Sequence, residues 1–109
     1  LVDDDIALLE FTRASLENAG HAVSSFSDGL SAYNELKKND SFDLLLTDII
    51  MPGMDGLELA EKTKMLTPDI KIMFMTGFAG MASDDMQVMS KPFHLKELLI
   101  EVEKALEQS

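Results

Sequence analysis

Apolar residues along the chain fall into two alternating patterns. Leu44, Leu45 and Leu46, and later Ile70 to Met75, are near-continuous apolar runs, as expected for strands covered on both faces of a parallel sheet. Between such runs the spacing turns helical. From Ile6 the residues Ile6, Leu9, Leu16 and Ala19 share related faces, with Asp5 at the helix start and Gly20 as the stop. Ala22 to Phe26 predicts a short second strand. A helix capped by Ser27 or Asp28 then carries Leu30, Tyr33 and Leu36, with Lys37 and Lys38 suited to its C-terminal end. The central strand runs to Asp48 and breaks at Pro52, Gly53 and Gly56. Asp55 with Glu58 forms a capping box that opens a helix lasting to Leu66, before Pro68. Ile70 to Thr76 is the fourth strand, Gln87 to Ser90 the fifth, and Leu95, Leu98, Leu99, Val102 and Leu106 mark an amphipathic last helix. Leu1 and Val2 read as the tail of the first strand, whose beginning is expected to precede Leu1. Strands alternating with helices predict an α/β fold with a parallel sheet and helices on both sides.

Composition narrows what such a fold does. At 109 residues the chain is expected to form one domain over 1–109. Nine basic against twenty acidic residues give a net charge of −11, which opposes binding to nucleic acid or an anionic membrane surface and favours a protein or a cation as partner. There is no cysteine, which excludes a disulfide framework or thiolate metal site and fits a cytoplasmic setting. No apolar run approaches the roughly 18 residues of a membrane span. The eight methionines, among them Met73, Met75 and Met89 in strands, read as core filling rather than a cofactor box. His21 reads as a surface turn residue. His94 has no second histidine or thiol spaced for a metal and reads as surface.

The chemistry gathers at strand ends. Asp3, Asp4 and Asp5 are consecutive. Asp5 suits the helix N-terminus, while Asp3 and Asp4 remain open between solvent and function. In a flavodoxin-like, doubly wound five-stranded sheet of order 2-1-3-4-5, the first and third strands are neighbours at the switch point, so Asp3 and Asp4 meet Asp48 there. Carboxylates crowded in one crevice call for a hard cation, and few protein ligands with several waters suit Mg²⁺. Thr76 and Lys91 end the next two strands on the same edge and add a hydroxyl and a positive charge. That set suits a phosphoryl group, with Asp48 as nucleophile, Mg²⁺ and Lys91 neutralising charge, and Thr76 bonding a phosphoryl oxygen.

Along nearly its whole length the chain resembles a response-regulator receiver domain (CheY-like), through VDDD at 2–5, LLLTDIIMPGMDG at 44–56, MTG at 75–77 and SKPF at 90–93. The resemblance implies a Mg²⁺-dependent two-component phosphoprotein that takes its phosphoryl group from a histidine kinase or histidine phosphotransfer protein and is not a turnover enzyme. It assigns the acidic pair to Asp3 and Asp4, the phosphoacceptor to Asp48, the switch hydroxyl to Thr76 and the lysine to Lys91. It also implies a metal ligand from the Ile50 backbone carbonyl and a cis Lys91–Pro92 peptide. Ile50 and Phe78 stand where the family places polar residues that orient water, which implies a persistent phosphoryl group. TDIIMPGMDG, MFMTGFAG and SKPFHLKELLIEVEKAL resemble CpdR-type single-domain regulators, a group that implies an adaptor for a ClpXP-type protease, engaged when unphosphorylated.

Two departures stand out. The fifteen-residue interval from Thr76 to Lys91 is short for the family, so the fourth helix is expected to be shortened or disordered. The position of the family's aromatic switch, three before the lysine, holds Val88, and Gly77 to Gln87 becomes the candidate switch segment. Alternatives carry less. An FMN binder needs a hydroxyl-rich loop where Asp3 to Asp5 stand, and a haloacid-dehalogenase-type phosphatase needs a second aspartate where Ile50 stands. A receiver-like module that is never phosphorylated, or a phosphorelay shuttle without an output, stays open beside the adaptor.

Overall fold

The structure, a computed structural model, describes residues 1–77 and 87–107. Among them are four helices, α1 (Ile6–Asn18), α2 (Gly29–Lys38), α3 (Gly56–Leu66) and α4 (Leu95–Glu107), and three strands, β1 (Leu44–Asp48), β2 (Lys71–Thr76) and β3 (Val88–Ser90). The strands form a parallel sheet of order β1-β2-β3, in which Asp48 is level with Met75 and Thr76 with Ser90. They are the expected third, fourth and fifth strands.

The expected first-strand tail and short second strand are present as single-residue bridges. Val2 bridges Thr47 on one side and Phe26 on the other, both in parallel. This continues the lateral order to Phe26, Val2, β1, β2 and β3, which is the doubly wound 2-1-3-4-5 arrangement of a flavodoxin-like fold. Residues 22–25 do not form the predicted strand. They alternate between exposed and half-buried on the sheet's outer edge, where the Leu1 amino group donates to the Ser24 carbonyl at 3.0 Å, the Phe26 N–H to the Leu1 carbonyl and the Asp3 N–H to the Phe26 carbonyl.

Both faces of the sheet are covered, which is why the strand sequences do not alternate. Leu46, Met73, Met75 and Met89 point into one core with Leu16 of α1 and Leu98, Val102 and Ala105 of α4. Leu45 faces the opposite way, into a core with Val2, Ala32 and Leu36 of α2 and Leu59 of α3, and Phe74 joins Ile49 and Ala60 in a smaller cluster. Met73, Met75 and Met89 are therefore core residues, as their apolar context implies.

Each described N-terminal cap follows the sequence. The side chains of Asp5, Asp28 and Asp55 accept hydrogen bonds from the backbone N–H of Leu8, Ser31 and Glu58, satisfying groups that a helix start leaves unpaired. Gly20, at φ 100°, takes the left-handed turn that ends α1. The buried faces are less faithful to the large apolar residues. Ile6 and Leu30 are each 57% exposed, whereas α1 buries Leu9, Thr12 and Leu16, and α2 buries Gly29, Ala32 and Leu36. Leu95 is likewise exposed. On α2 the small residues are selected because they let the helix approach its neighbours closely, a requirement that hydrophobicity does not report. His21 is a further correction, since its side chain is half-buried, with Nε2 3.1 Å from the Glu103 carboxylate of α4, rather than free in a surface turn. His94 is on the surface.

One glycine closes the turn between β1 and α3. A Cβ on Gly56 would stand 2.0 Å from the Asp48 carbonyl oxygen, and the Gly56 N–H donates to the Ile49 carbonyl at 2.7 Å. No rotamer change relieves a clash with backbone, so Gly56→Ala must push α3 away from the strand that ends on Asp48. Gly56→Ala is expected to lower unfolding free energy by at least about 2 kcal/mol in urea titration; an unchanged midpoint would contradict the packing described.

Candidate functional site

Parallel pairing puts the C-terminal ends of β1, β2 and β3 on one edge, so Asp48, Thr76 and the residue after Ser90, Lys91, come together there. The Lys91 N–H donates to the Thr76 carbonyl at 2.7 Å, extending the ladder by one step. On the other side the Asp48 N–H donates to the Val2 carbonyl at 2.9 Å, which brings Asp3 beside Asp48. The crevice is thus held by backbone hydrogen bonds on two sides, and none of its carboxylates is near another in sequence except Asp3 and Asp4.

The side chains meet as that frame requires. Lys91 Nζ lies 2.9 Å from Asp3 Oδ2 and 3.0 Å from Asp48 Oδ2, donating to both. Asp3 is 1% exposed and Asp48 8% exposed, so this bridge is largely shielded from water. Asp3 Oδ1 accepts from the Asp5 N–H at 3.0 Å. Asp4 is exposed, and oxygens of Asp3, Asp4 and Asp48 all lie within 4.8 Å of one another. Burial raises the Asp48 pKa above the ordinary carboxylate value; the Lys91 hydrogen bond and charge oppose this, and the charges of Asp3 and Asp4 add to it. For Lys91 burial pulls the pKa down, but hydrogen bonds and charge from Asp3 and Asp48 outweigh it and the net shift is upward. The ammonium is held charged.

Receiver domains generally bind Mg²⁺ at an acidic pocket, and the donor set here fits one. It consists of hard oxygens without nitrogen or sulfur, converging within one ion's reach. Asp48 carries a desolvation penalty that Lys91 offsets only in part. Asp3, Asp4, Asp48 and Lys91 are therefore brought together as their order in the chain implied. Thr76 is at the same edge and buried. Ile50 is two residues beyond Asp48 with its side chain exposed. The Lys91–Pro92 peptide is cis. Val88, at the position of the aromatic switch, is half-buried against the Ile49, Ala60 and Phe74 cluster. Phe78 and the rest of residues 78–86 of the candidate switch segment, where the fourth helix is expected from the sequence to be shortened or disordered, lie outside the described residues.

One contributor was not legible. Asp5 reads from sequence as a helix cap alone, yet its N–H also fixes the Asp3 carboxylate. The run of three aspartates is the only signal, and it does not say which group orients which.

The chain belongs to the response regulator receiver domain family, whose model matches residues 1–103. Within that family it is 50% identical to the response regulator receiver protein CpdR of Brucella abortus (strain 2308), over 97% of this chain and 93% of that protein. It is 33% identical to the response regulator MprA of Mycobacterium leprae (strain TN), of which it spans only 50%. Among solved structures, the receiver domain of the hybrid histidine kinase CckA superposes with a TM-score of 0.88 at 29% identity, covering 97% of this chain and 95% of that one. A CheY-like receiver from Methanospirillum hungatei JF-1 superposes at 0.87 and 31% identity, covering 98% and 90%. Among the described residues no helix is long and apolar enough to cross a membrane.

The raised pKa of Asp48 has a consequence for stability. Because the folded protein holds that proton more tightly than the unfolded chain, stability falls as pH rises from the ordinary value of 3.8 through the raised one, and the full penalty is present above it. Metal-free Asp48→Asn, in which Asp3 still pairs with Lys91, is expected to unfold at a higher temperature than wild type at pH 7, with the gap narrowing toward pH 4. A gap that is constant with pH, or absent, would remove burial of the charge as its cause.

Proposed function

We propose that this receiver accepts a phosphoryl group on Asp48 from a histidine kinase or a histidine phosphotransfer protein. The observation that carries the reading is the half-buried Lys91 ammonium bridging Asp3 and Asp48 at 2.9 and 3.0 Å, with the Asp4 carboxylate beside them. In the transfer a carboxylate oxygen of Asp48 bonds to phosphorus as the phosphorus–nitrogen bond of phosphohistidine breaks, and the electron pair returns to the imidazole nitrogen. Asp48 has no proton to lose when ionised, so no separate base is required. In this reading Lys91 would meet the charge that develops on the phosphoryl oxygens, and Thr76, at the end of β2, would donate its hydroxyl to one of them. Asp3, Asp4, Asp48 and the Ile50 carbonyl would hold Mg²⁺. When bound, the ion neutralises negative charge that would otherwise repel an incoming phosphoryl group. The phosphoryl group stays on the protein's own side chain, so the protein is a switch and not a turnover enzyme.

Labelling with a small phosphodonor in Mg²⁺, read by mass spectrometry, tests this directly. Wild type gains one phosphoryl group and Asp48→Asn gains none; normal labelling of the variant at another residue would sink the assignment. The metal ligands are expected to be unequal. Asp3 Oδ2 is engaged by Lys91 and Oδ1 by the Asp5 N–H, which leaves the exposed Asp4 as the freer ligand. Asp4→Ala should weaken Mg²⁺ by roughly tenfold or more in calorimetry while tolerating the substitution structurally; unchanged affinity removes Asp4 from the site.

The similarity to CpdR supports a reading of the output. By that resemblance, phosphorylation controls a protein contact, and the unphosphorylated form engages a ClpXP-type protease. A net charge of −11 weighs against a nucleic-acid output. In pull-downs with wild type, Asp48→Asn and beryllofluoride-treated protein, the protease is expected with the first two and depleted from the third. Identical partner sets lacking a protease would leave a phosphate shuttle as the function.

A further inference from the structure

The contact between the N-terminus of α2 and the loop from β1 to α3 is made by a glycine and a backbone carbonyl. A Cβ on Gly29 would lie 2.7 Å from the Met54 carbonyl oxygen and 3.1 and 3.3 Å from Met54 Cβ and Cγ. Gly29 is buried as the first residue of α2, with no positive φ to demand glycine. Its missing side chain is therefore explained by proximity rather than by backbone conformation. Helix propensity alone would favour alanine there by about 1 kcal/mol.

The two sides of this contact differ in stiffness. α2 is anchored by Ala32 and Leu36 in the core shared with Leu59 of α3, and by the Asp28 cap. The loop of residues 49–55 has no helix or strand of its own; Met51 and Met54 seat it on the same core, and the Gly56 N–H ties it to Ile49. Pressure at Met54 is thus taken up by the loop. That loop begins one residue past Asp48 and carries Ile50.

We infer that Gly29 is a positioning residue for the metal site: by allowing α2 to seat against Met54, it sets the path of the loop and the direction in which Ile50 presents its carbonyl. The inference rests on the reading of Asp3, Asp4, Asp48 and Ile50 as the Mg²⁺ ligands. It places one determinant of metal affinity on a helix that contributes no ligand.

The experiment compares full-length wild type, Gly29→Ala, Met54→Ala and the exposed mid-helix control Asn34→Ala. Met54→Ala loosens the same contact from the loop side by removing Cγ, so a folded variant exists even if Gly29→Ala proves too disruptive. Calorimetric Mg²⁺ titration should show the dissociation constant raised roughly tenfold in Gly29→Ala, raised in the same direction in Met54→Ala, and unchanged in Asn34→Ala. In metal-free protein, amide chemical shifts of residues 50–56 should move in the first two variants while those of β3 and α4 stay fixed. A purely structural role would shift melting temperature and leave Mg²⁺ affinity alone. Wild-type affinity in either folded variant overturns the inference and leaves the metal site intact. Failure of wild type to bind Mg²⁺ overturns the site reading and this inference with it.

Discussion

The structure is organised around a charge problem at one sheet edge. Asp3 and Asp48, both nearly sealed from water, come within a few ångströms of each other, and a like-charged pair in that setting is stable only with a cation between them. Lys91 supplies that cation from the opposite end of the chain, 88 residues from Asp3. The sheet has to hold all three strand ends level for the bridge to form, because a slip of one residue would turn a side chain to the other face. Register and site chemistry are therefore one constraint.

This bridge also fits a switch. One ammonium, that of Lys91, faces the carboxylates of Asp3, Asp4 and Asp48, so the resting crevice retains net negative charge beside a fixed cation. Adding a metal ion or a phosphoryl group changes that balance directly, and the pairing between the Lys91 N–H and the Thr76 carbonyl ties the lysine's backbone to the end of β2. A change at the crevice therefore reaches the end of β2 through a single backbone hydrogen bond.

The turn that leaves Asp48 is built by close approach rather than by side-chain contact. Gly56 admits the Asp48 carbonyl and Gly29 admits the Met54 carbonyl, so two glycines on different helices bracket the loop. Packing of this kind transmits displacement because backbone against backbone has no rotamer through which to yield. The loop's position consequently belongs to α2 and α3 together and not to its own residues.

What the sequence by itself determined is considerable and has a common physical basis. Continuous apolar runs at 44–46 and 70–75 imply a doubly covered parallel sheet; the aspartates at positions 5, 28 and 55 imply helix starts; and polar residues at the ends of such runs imply a crevice, because each inference depends on neighbours in the chain. The resemblance through VDDD, TD, MTG and SKPF then joined those ends. Only the tertiary structure decided the remainder. Leu30 and Ile6 are exposed while Gly29, Ala32 and Thr12 are buried, because the distance to a neighbouring helix, and not side-chain hydrophobicity, chooses the face. His21 turned inward because α4 places Glu103 within 3.1 Å. The second strand shrank to a bridge at Phe26 because an outer edge offers a partner on one side only. Asp5 acquired its second role, holding the Asp3 carboxylate through its N–H, because the turn into α1 folds that N–H back toward the crevice. Distances between segments far apart in the chain set each of these outcomes, and a linear pattern carries no information about them.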